Sequence, residues 1–355
     1  MGRIHFAPCR SNVGVPAVRY AQWGDCHYGV LTVEKKRKEQ RKSPMEKAMA
    51  MTDLSNCKTD PSGSYTGQPA NHYCVPEDQV KRIIRESLDT CLGQFGGRRS
   101  DCRYLVVGTT GLDSDQDGVF LRELYGQIPG LDCPQYIVND AELAHYTVTG
   151  GRGVLVISGT GSIGFGRDSQ GHSARAGGWS CTILGDEGSG TWVSKRALRQ
   201  LGRWLDGAAA EGVLIRRLCE ELSVYTREDL NNIAVRIANP PWKPPELGKL
   251  VNEAAAAGDP DAVTILKEAA ALMITIAEDV ANALRLSEKE PGFPLGVWGS
   301  NILKSPVLYD EFCALAARWF PGSPIVRPTR TATEGAVQLA LERLSAGQTT
   351  SPAVC

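Results

Sequence analysis

The sequence is short of net charge, of cysteines at metal-binding spacing and of long apolar runs, and each shortage removes a class of function. Lys plus Arg number 39 against 40 Asp plus Glu, so there is no excess field to hold a polyanion, and no nucleic-acid partner is expected. The eleven cysteines are an odd count with no C-x-x-C pair among them. They fit neither a zinc site nor a secreted disulfide framework and read as mostly buried, reduced thiols, with no metal-ligating residue to assign. No apolar stretch approaches the length that crosses a bilayer, so no membrane partner is expected. The N-terminus lacks the hydrophobic segment of a secretory signal, and the expectation is a soluble, cytoplasmic protein. The Gly-Lys-Ser/Thr signature of a P-loop is missing as well.

What is present suits two domains, since 355 residues exceed one small core and can bury two. Residues 1–53 show neither helical nor strand period and carry a basic cluster, Lys35, Lys36, Arg37, Lys38, Arg41 and Lys42, in polar company. That stretch reads as an atypical segment, disordered or a misassigned start. From Pro76 the pattern changes. Pro76, Glu77 and Asp78 open a helix whose Val80, Ile83, Ile84, Leu88, Cys91 and Leu92 recur at three and four. A strand at 104–108, a helix near 120–125, a strand at 136–138 and a short helix from Ala141 follow. This alternation predicts an α/β fold with a partly parallel sheet. Strands are then expected at 154–157 and 163–165, joined by a tight turn. Helices broken by Asn239, Pro240, Pro241, Pro244 and Pro245 run to about 286, with strands at 295–298 and 325–326 and helices at 306–319 and 333–343.

The residues able to carry chemistry cluster where strands end. Gly159, Thr160, Gly161 and Ser162 follow an apolar strand, and small residues there let backbone N–H groups approach an anion; the same sequence also suits an ordinary hairpin turn. Asp140, just past a strand, can cap a helix or accept a proton from a substrate hydroxyl. Asp186 and Glu187 stand between glycines at a helix start, where acidic residues complement the dipole and flanking glycines suit a ligand loop. Gly177, Gly178 and Trp179 offer close backbone and an aromatic wall, or simply core. Gly299, Ser300 and Asn301 follow a late apolar strand, in the form of a second nucleotide-contacting turn.

Taken in order, Ile157-Ser158-Gly159-Thr160-Gly161-Ser162, Gly177-Gly178-Trp179 and Gly185-Asp186-Glu187-Gly188-Ser189 closely resemble the N-acetylglucosamine kinase family. The wider group is the BadF/BadG/BcrA/BcrD-type ATPases. The resemblance runs from about 54 to 346 and includes Asn71, Asn139-Asp140, Gly299-Ser300 and Glu334-Gly335-Ala336. It implies a two-lobed, actin-like (ribonuclease H-like) fold with an N-terminal lobe over 54–150, a C-terminal lobe over 151–346 holding the adenosine motif, and a loose tail at 347–355. It further implies ATP and Mg2+ as cofactors and transfer of the γ-phosphate to the 6-hydroxyl of an amino sugar. Asp140 would be the general base. Asn71, Asp140, Thr160, Gly178, Trp179 and Asp186 would bind the sugar. Thr160, Gly161, Ser162, Gly299, Ser300 and Asn301 would bind the nucleotide, and a homodimer is in keeping with the family.

One departure stands out. The family opens with an aspartate and consecutive glycines on a β-hairpin that grips the β- and γ-phosphates, and no such sequence precedes Asn71. Gly24-Asp25 and Asp60-Pro61-Ser62-Gly63 are the nearest candidates, and neither carries the glycine pair. The N-terminal lobe is therefore expected to lack its first hairpin. A misassigned first exon, a sugar-binding paralogue without turnover and a diverged loop are all consistent with that. Glucosamine is open as an alternative substrate.

Overall fold

The structure, a computed structural model, describes the backbone of residues 17–23, 27–33, 64–67 and 238, and backbone with side chains for 70, 72, 73, 75–94, 96–179, 184–237 and 246–347. The chain divides into two units, residues 1–140 with 336–354 and residues 141–335 with 355. The chain passes from the first to the second inside one helix and returns inside another.

In the first unit a five-stranded sheet has the order β3-β1-β2-β4-β5. Its strands are β1 (Ala17–Trp23), β2 (His27–Val33), β3 (Ser64–Gly67), β4 (Cys102–Thr109) and β5 (Gln135–Asn139). β4 is a continuous apolar run with Tyr104, Leu105, Val106 and Val107 fully buried, as expected of a strand covered on both faces. Helix α1 (Glu77–Gly93) buries Val80, Ile83, Ile84, Leu88, Cys91 and Leu92 on one stripe, with Pro76 at its N-cap. Helix α2 (Asp115–Gly126) starts well before the expected 120, because Ser114 caps it by accepting from the Asp117 N–H at 3.2 Å. The polar Asp115-Gln116-Asp117 opening hides that first turn from a reading of apolar period.

The expectation of a missing first hairpin is corrected here. β1 and β2 pair antiparallel from Ala17↔Val33 to Trp23↔His27, and β2 pairs antiparallel with β4 from Val33↔Cys102 to His27↔Thr109. Val18, Tyr20, Tyr28, Val30, Thr32 and Val33 are β-formers. The sequence reading passed over them because it looked for the glycine pair and not for strand propensity. β1 and β3 run parallel, as do β4 and β5. One row of partners then crosses the whole sheet, Gly67↔Trp23↔His27↔Thr109↔Asn139. Asp140 is the next residue after that row, so one sheet edge gathers the ends of all five strands. Residues 24–26, which join β1 to β2, and Asn71, which follows β3, lie outside the described residues.

The second unit begins with helix α3 (Asp140–Thr149), whose first residue belongs to the first unit. Its sheet has the order β10-β9-β6-β7-β8, with β6 (Gly153–Ser158), β7 (Ser162–Arg167), β8 (Ser173–Gly177), β9 (Leu295–Trp298) and β10 (Ile325–Val326). β6, β9 and β10 are parallel, while β7 and β8 fold back as a meander. Helices α4 (Gly190–Leu205), α5 (Val213–Leu222), α6 (Arg227–Ala238) and α7 (Gly248–Ala256) occupy the expected helical middle. The proposed breaks at 239–245 lie outside the described residues. Helix α8 (Pro260–Leu284) lies on β6, β7 and β8. Gly164 and Gly166 permit this: a Cβ on Gly164 would sit 2.7 Å from Ile276 Cγ2, and one on Gly166 2.6 Å from Val280 Cγ1. Short helices α9 (Leu286–Lys289) and α10 (Ser300–Leu303) precede α11 (Pro306–Trp319) and the closing α12 (Ala332–Ser345). Phe312, Leu155, Leu201 and Met273 are fully buried in this core, each such side chain stabilising by roughly 1.5–3 kcal/mol.

Candidate functional site

In the second unit the strand ends again fall on one edge. Trp298 pairs with Ile157, Ile157 with Ile163 and Ile163 with Gly177. Just beyond that row lie Gly299 to Asn301, Gly159 to Ser162, and Gly178 with Trp179. The sequence motifs, far apart along the chain, are thereby neighbours along one edge.

Hydrogen bonds tie them together. Gly159 N–H donates to the Gly161 carbonyl at 2.9 Å, closing the turn between β6 and β7. The loop 185–191 then wraps it. Gly190 N–H donates to the Gly159 carbonyl at 2.8 Å, and Thr191 donates to the Thr160 carbonyl through its amide at 3.2 Å and its hydroxyl at 2.8 Å. Ser162 donates its amide to Asp186 Oδ1 at 3.2 Å and its hydroxyl to the Glu187 carbonyl at 2.7 Å. The buried Ser158 hydroxyl donates to the Gly188 carbonyl at 3.0 Å, and Asn301 Nδ2 donates to Ser158 Oγ at 2.9 Å and to the Gly188 carbonyl at 3.1 Å. The amides of Thr160 and Gly161 donate to no acceptor among the described residues. Thr160 is exposed, and a Cβ on Gly159 would meet nothing within 4 Å. The turn therefore keeps two main-chain N–H donors unengaged among the described residues beside the exposed Thr160, which is what receiving an anion through main-chain groups requires.

Backbone demands fix the glycines. Gly299 has φ of +102°, and a Cβ there would run into the Ser158 carbonyl and lie 2.9 Å from Gly159 N. Gly188 has φ of +72°, and its Cβ would lie 2.6 Å from the Ala269 carbonyl. Asp186 also adopts the left-handed region, with φ of 66°, a conformation that costs a non-glycine residue about 1–3 kcal/mol and clusters at ligand sites. Its carboxylate rests where a side chain on Gly161 would be, 2.5 Å from that Cβ. Gly178 has φ of +71° and donates its N–H to the Ser162 carbonyl at 3.0 Å. Beside it Trp179 is 62% exposed and Leu184 69% exposed, which is unusual for side chains of that size.

On the first unit's edge, Asn139 Nδ2 donates to the Leu112 carbonyl at 3.2 Å, fixing the loop after β4 to the strand end that carries Asp140. The same loop is anchored through Asp117, whose carboxylate accepts from Tyr73 Oη at 2.6 Å and Ser114 Oγ at 2.6 Å. These bonds hold the Asp117 carboxyl below its ordinary range even though burial pushes it up. Tyr73, deprived of an easy proton loss beside that carboxylate, is pushed up to about 12.

The structure places Thr160, Gly161, Ser162, Gly178, Trp179, Asp186, Gly299, Ser300 and Asn301 at the edge of the second unit's sheet and Asp140 at the edge of the first unit's sheet; Asn71 lies outside the described residues. Ser158 and Gly188 stood inside the quoted motifs without a role, and Gly190 and Thr191 were not singled out; for those two the only signal was the density of small residues in 185–191. Among the described residues no cluster of three or more His, Cys, Asp or Glu could hold a metal ion, and no helix is long and apolar enough to cross a membrane.

Two units, each a five-stranded sheet with flanking helices and a collection of loops at one sheet edge, define an α/β protein of the actin-like ATPase fold. In keeping with this, a protein from Chromobacterium violaceum assigned provisionally as an N-acetylglucosamine kinase superposes with a TM-score of 0.61 at 20% identity, covering 91% of this chain and 98% of that one. Residues 50–310 match the BadF/BadG/BcrA/BcrD ATPase family, and the chain belongs to it. It is 32% identical over 276 residues to the N-acetylmuramic acid/N-acetylglucosamine kinase of Clostridium acetobutylicum, covering 77% of this chain and 88% of the relative. It is 29% identical over 304 residues to the N-acetyl-D-glucosamine kinase of Dictyostelium discoideum, covering 82% and 95%.

Proposed function

We propose that this chain transfers the γ-phosphate of ATP to the 6-hydroxyl of N-acetylglucosamine or a close amino sugar. The observation that carries the reading is the bonded assembly of the turn 159–162, the loop 185–191 and Asn301 on one sheet edge, whose relatives are kinases of this sugar class. In this reading the Thr160 and Gly161 amides and the Ser162 region receive the phosphates, and Gly299, Ser300 and Asn301 border the base and ribose. Thr160 also reaches the sugar. Asn71, Gly178, Trp179 and Asp186 hold the hydroxyls and the N-acetyl group, Asp186 through the oxygen not engaged by Ser162. Asp140 accepts the proton from the attacking hydroxyl.

Phosphoryl transfer asks little covalent chemistry of a protein, so alignment and charge stabilisation dominate. Mg2+, bound through phosphate oxygens and water and not by a protein cage, would neutralise charge on the transferring group. The amides at 160–161, which donate to no acceptor among the described residues, support this reading. The missing Asp-Gly-Gly sequence favours one competing reading, a sugar binder without turnover.

Purified protein with ATP, magnesium and a panel of N-acetylglucosamine, N-acetylmuramic acid and glucosamine decides between them. A 6-phosphorylated amino sugar supports the kinase. Sugar affinity by calorimetry with no Mg-ATP affinity and no product overturns it. Asp140→Asn should lower kcat by about 10³-fold while leaving sugar affinity within a few-fold, as loss of a general base does.

A further inference from the structure

Cys102 opens β4 and Cys133 lies two residues before β5, and these strands are parallel neighbours whose register begins at Leu105↔Gln135. Strands paired this way run about 4.8 Å apart, within the separation that a disulfide spans. Their sulfurs are 3.2 Å apart in hydrogen-bond contact, 31 positions apart in the chain, and the Cys102 sulfur also lies 3.5 Å from the Tyr104 carbonyl oxygen. Cys102 is 6% exposed, whereas Cys133 is half-buried. Neither residue takes part in the phosphotransfer reading, and both lie at the end of β4 and β5 opposite Thr109 and Asn139.

We propose that Cys102 and Cys133 are a redox-responsive pair that hydrogen peroxide converts to a disulfide, tying together the entries of β4 and β5. The sulfur–sulfur hydrogen bond with Cys102 holds the Cys133 thiol below its ordinary range, against burial and the nearby Asp132 charge, and the thiolate is the reactive form. Cys133 sulfur attacks one peroxide oxygen, forming S–O and breaking O–O, and one water leaves after protonation. The resulting sulfenic acid faces a second sulfur at contact distance. Cys102 sulfur then attacks Cys133 sulfur, forming S–S and breaking S–O; the departing hydroxide takes the Cys102 proton and leaves as a second water. Two thiols lose two electrons in total and the peroxide is reduced to water. A small dithiol reverses the step by exchange.

The full-length chain, freed of reductant and titrated with hydrogen peroxide under native conditions, tests this by alkylation of remaining thiols, digestion and mass spectrometry. The expected first product is a 102–133 linked peptide, with loss of two hydrogens from the intact mass and full reversal by dithiothreitol. Closing that loop should raise the melting temperature by roughly 5 °C. Cys133→Ser and Cys133→Ala should abolish both the link and the rise, without changing phosphotransfer by the reduced enzyme. Alkyl label on both Cys102 and Cys133 after other thiols have oxidised would overturn the proposal, as would Cys133 accumulating as sulfinic acid beside a labelled Cys102. A link without any change in melting would overturn the tethering role.

Discussion

The two sheets solve one problem with different strand orders. In the second unit the hairpin β6-β7 enters through its first strand, so β6 lies parallel to β9 and the turn 159–161 emerges at the C-terminal edge of both. In the first unit the hairpin β1-β2 enters through its second strand, antiparallel to β4, with β1 beyond it beside β3. The ends that flank the β1-β2 connection nevertheless share a row with Thr109 and Asn139. Strand order changed while the edge did not. What an edge requires is that hairpin ends and parallel-strand ends coincide there, and either hairpin strand can be the one adjacent to the parallel pair.

A chain beginning at residue 34 would lose β1 and β2 and leave seven paired backbone positions of β4 exposed. Insoluble protein, or a melting temperature lower by about 10 °C or more, is expected. A melt within about 2 °C of the full chain would show that the hairpin is no part of the working sheet. In the second unit, Gly299→Ala forces a Cβ against the Ser158 carbonyl at a positive φ. A destabilisation of at least about 3 kcal/mol, with weakened nucleotide affinity, should appear in urea unfolding and calorimetry.

His145 gives a pH-dependent difference of similar size. It is fully buried in α3, with Nε2 3.0 Å from the Gly153 carbonyl and its ring edge-on to Phe165, and burial pushes it down to about 4 from 6.5. Between those values the unfolded chain binds the proton and the folded one does not, so stability falls as pH drops from 6.5 toward 4 and levels below. The loss is about 3 kcal/mol for the second unit. Urea titrations at pH 7 and 4.5 should show the difference, and His145→Gln should flatten it. Asn301→Ala has the smallest effect, about 1–2 kcal/mol, because Ser158 Oγ keeps its bond to Gly188 when the amide is lost.

Much of the second unit was legible in the sequence. Strands 154–157, 163–165 and 295–298 are short, largely apolar runs with a glycine within two residues of their ends, and both signals are local. Helix α1 was read from its period for the same reason. β8 was not, since Ser173-Ala174-Arg175-Ala176-Gly177 is half-buried at a sheet edge and lacks the apolar density of an inner strand. The β1-β2 hairpin was missed because the glycine pair was sought and the strand propensity of Val18, Tyr20, Tyr28 and Val30 was not weighed; only its pairing with β4, about 70 residues downstream, leaves no local mark. In the candidate site the side chains that a motif can advertise were visible. The carbonyls of Gly159, Thr160, Glu187 and Gly188 were not, since every residue type carries one.

The joint between the 159–162 turn and the 185–191 loop is made largely of main-chain groups, so most changes of side-chain chemistry around it should pass unnoticed. Any added Cβ at Gly188 or Gly299 should not. A saturation scan of this edge would return two-valued tolerance, with permissive positions beside glycines that accept no replacement. The protein could therefore change what it recognises by exchanging outward-facing residues such as Trp179 while inheriting the joint unchanged.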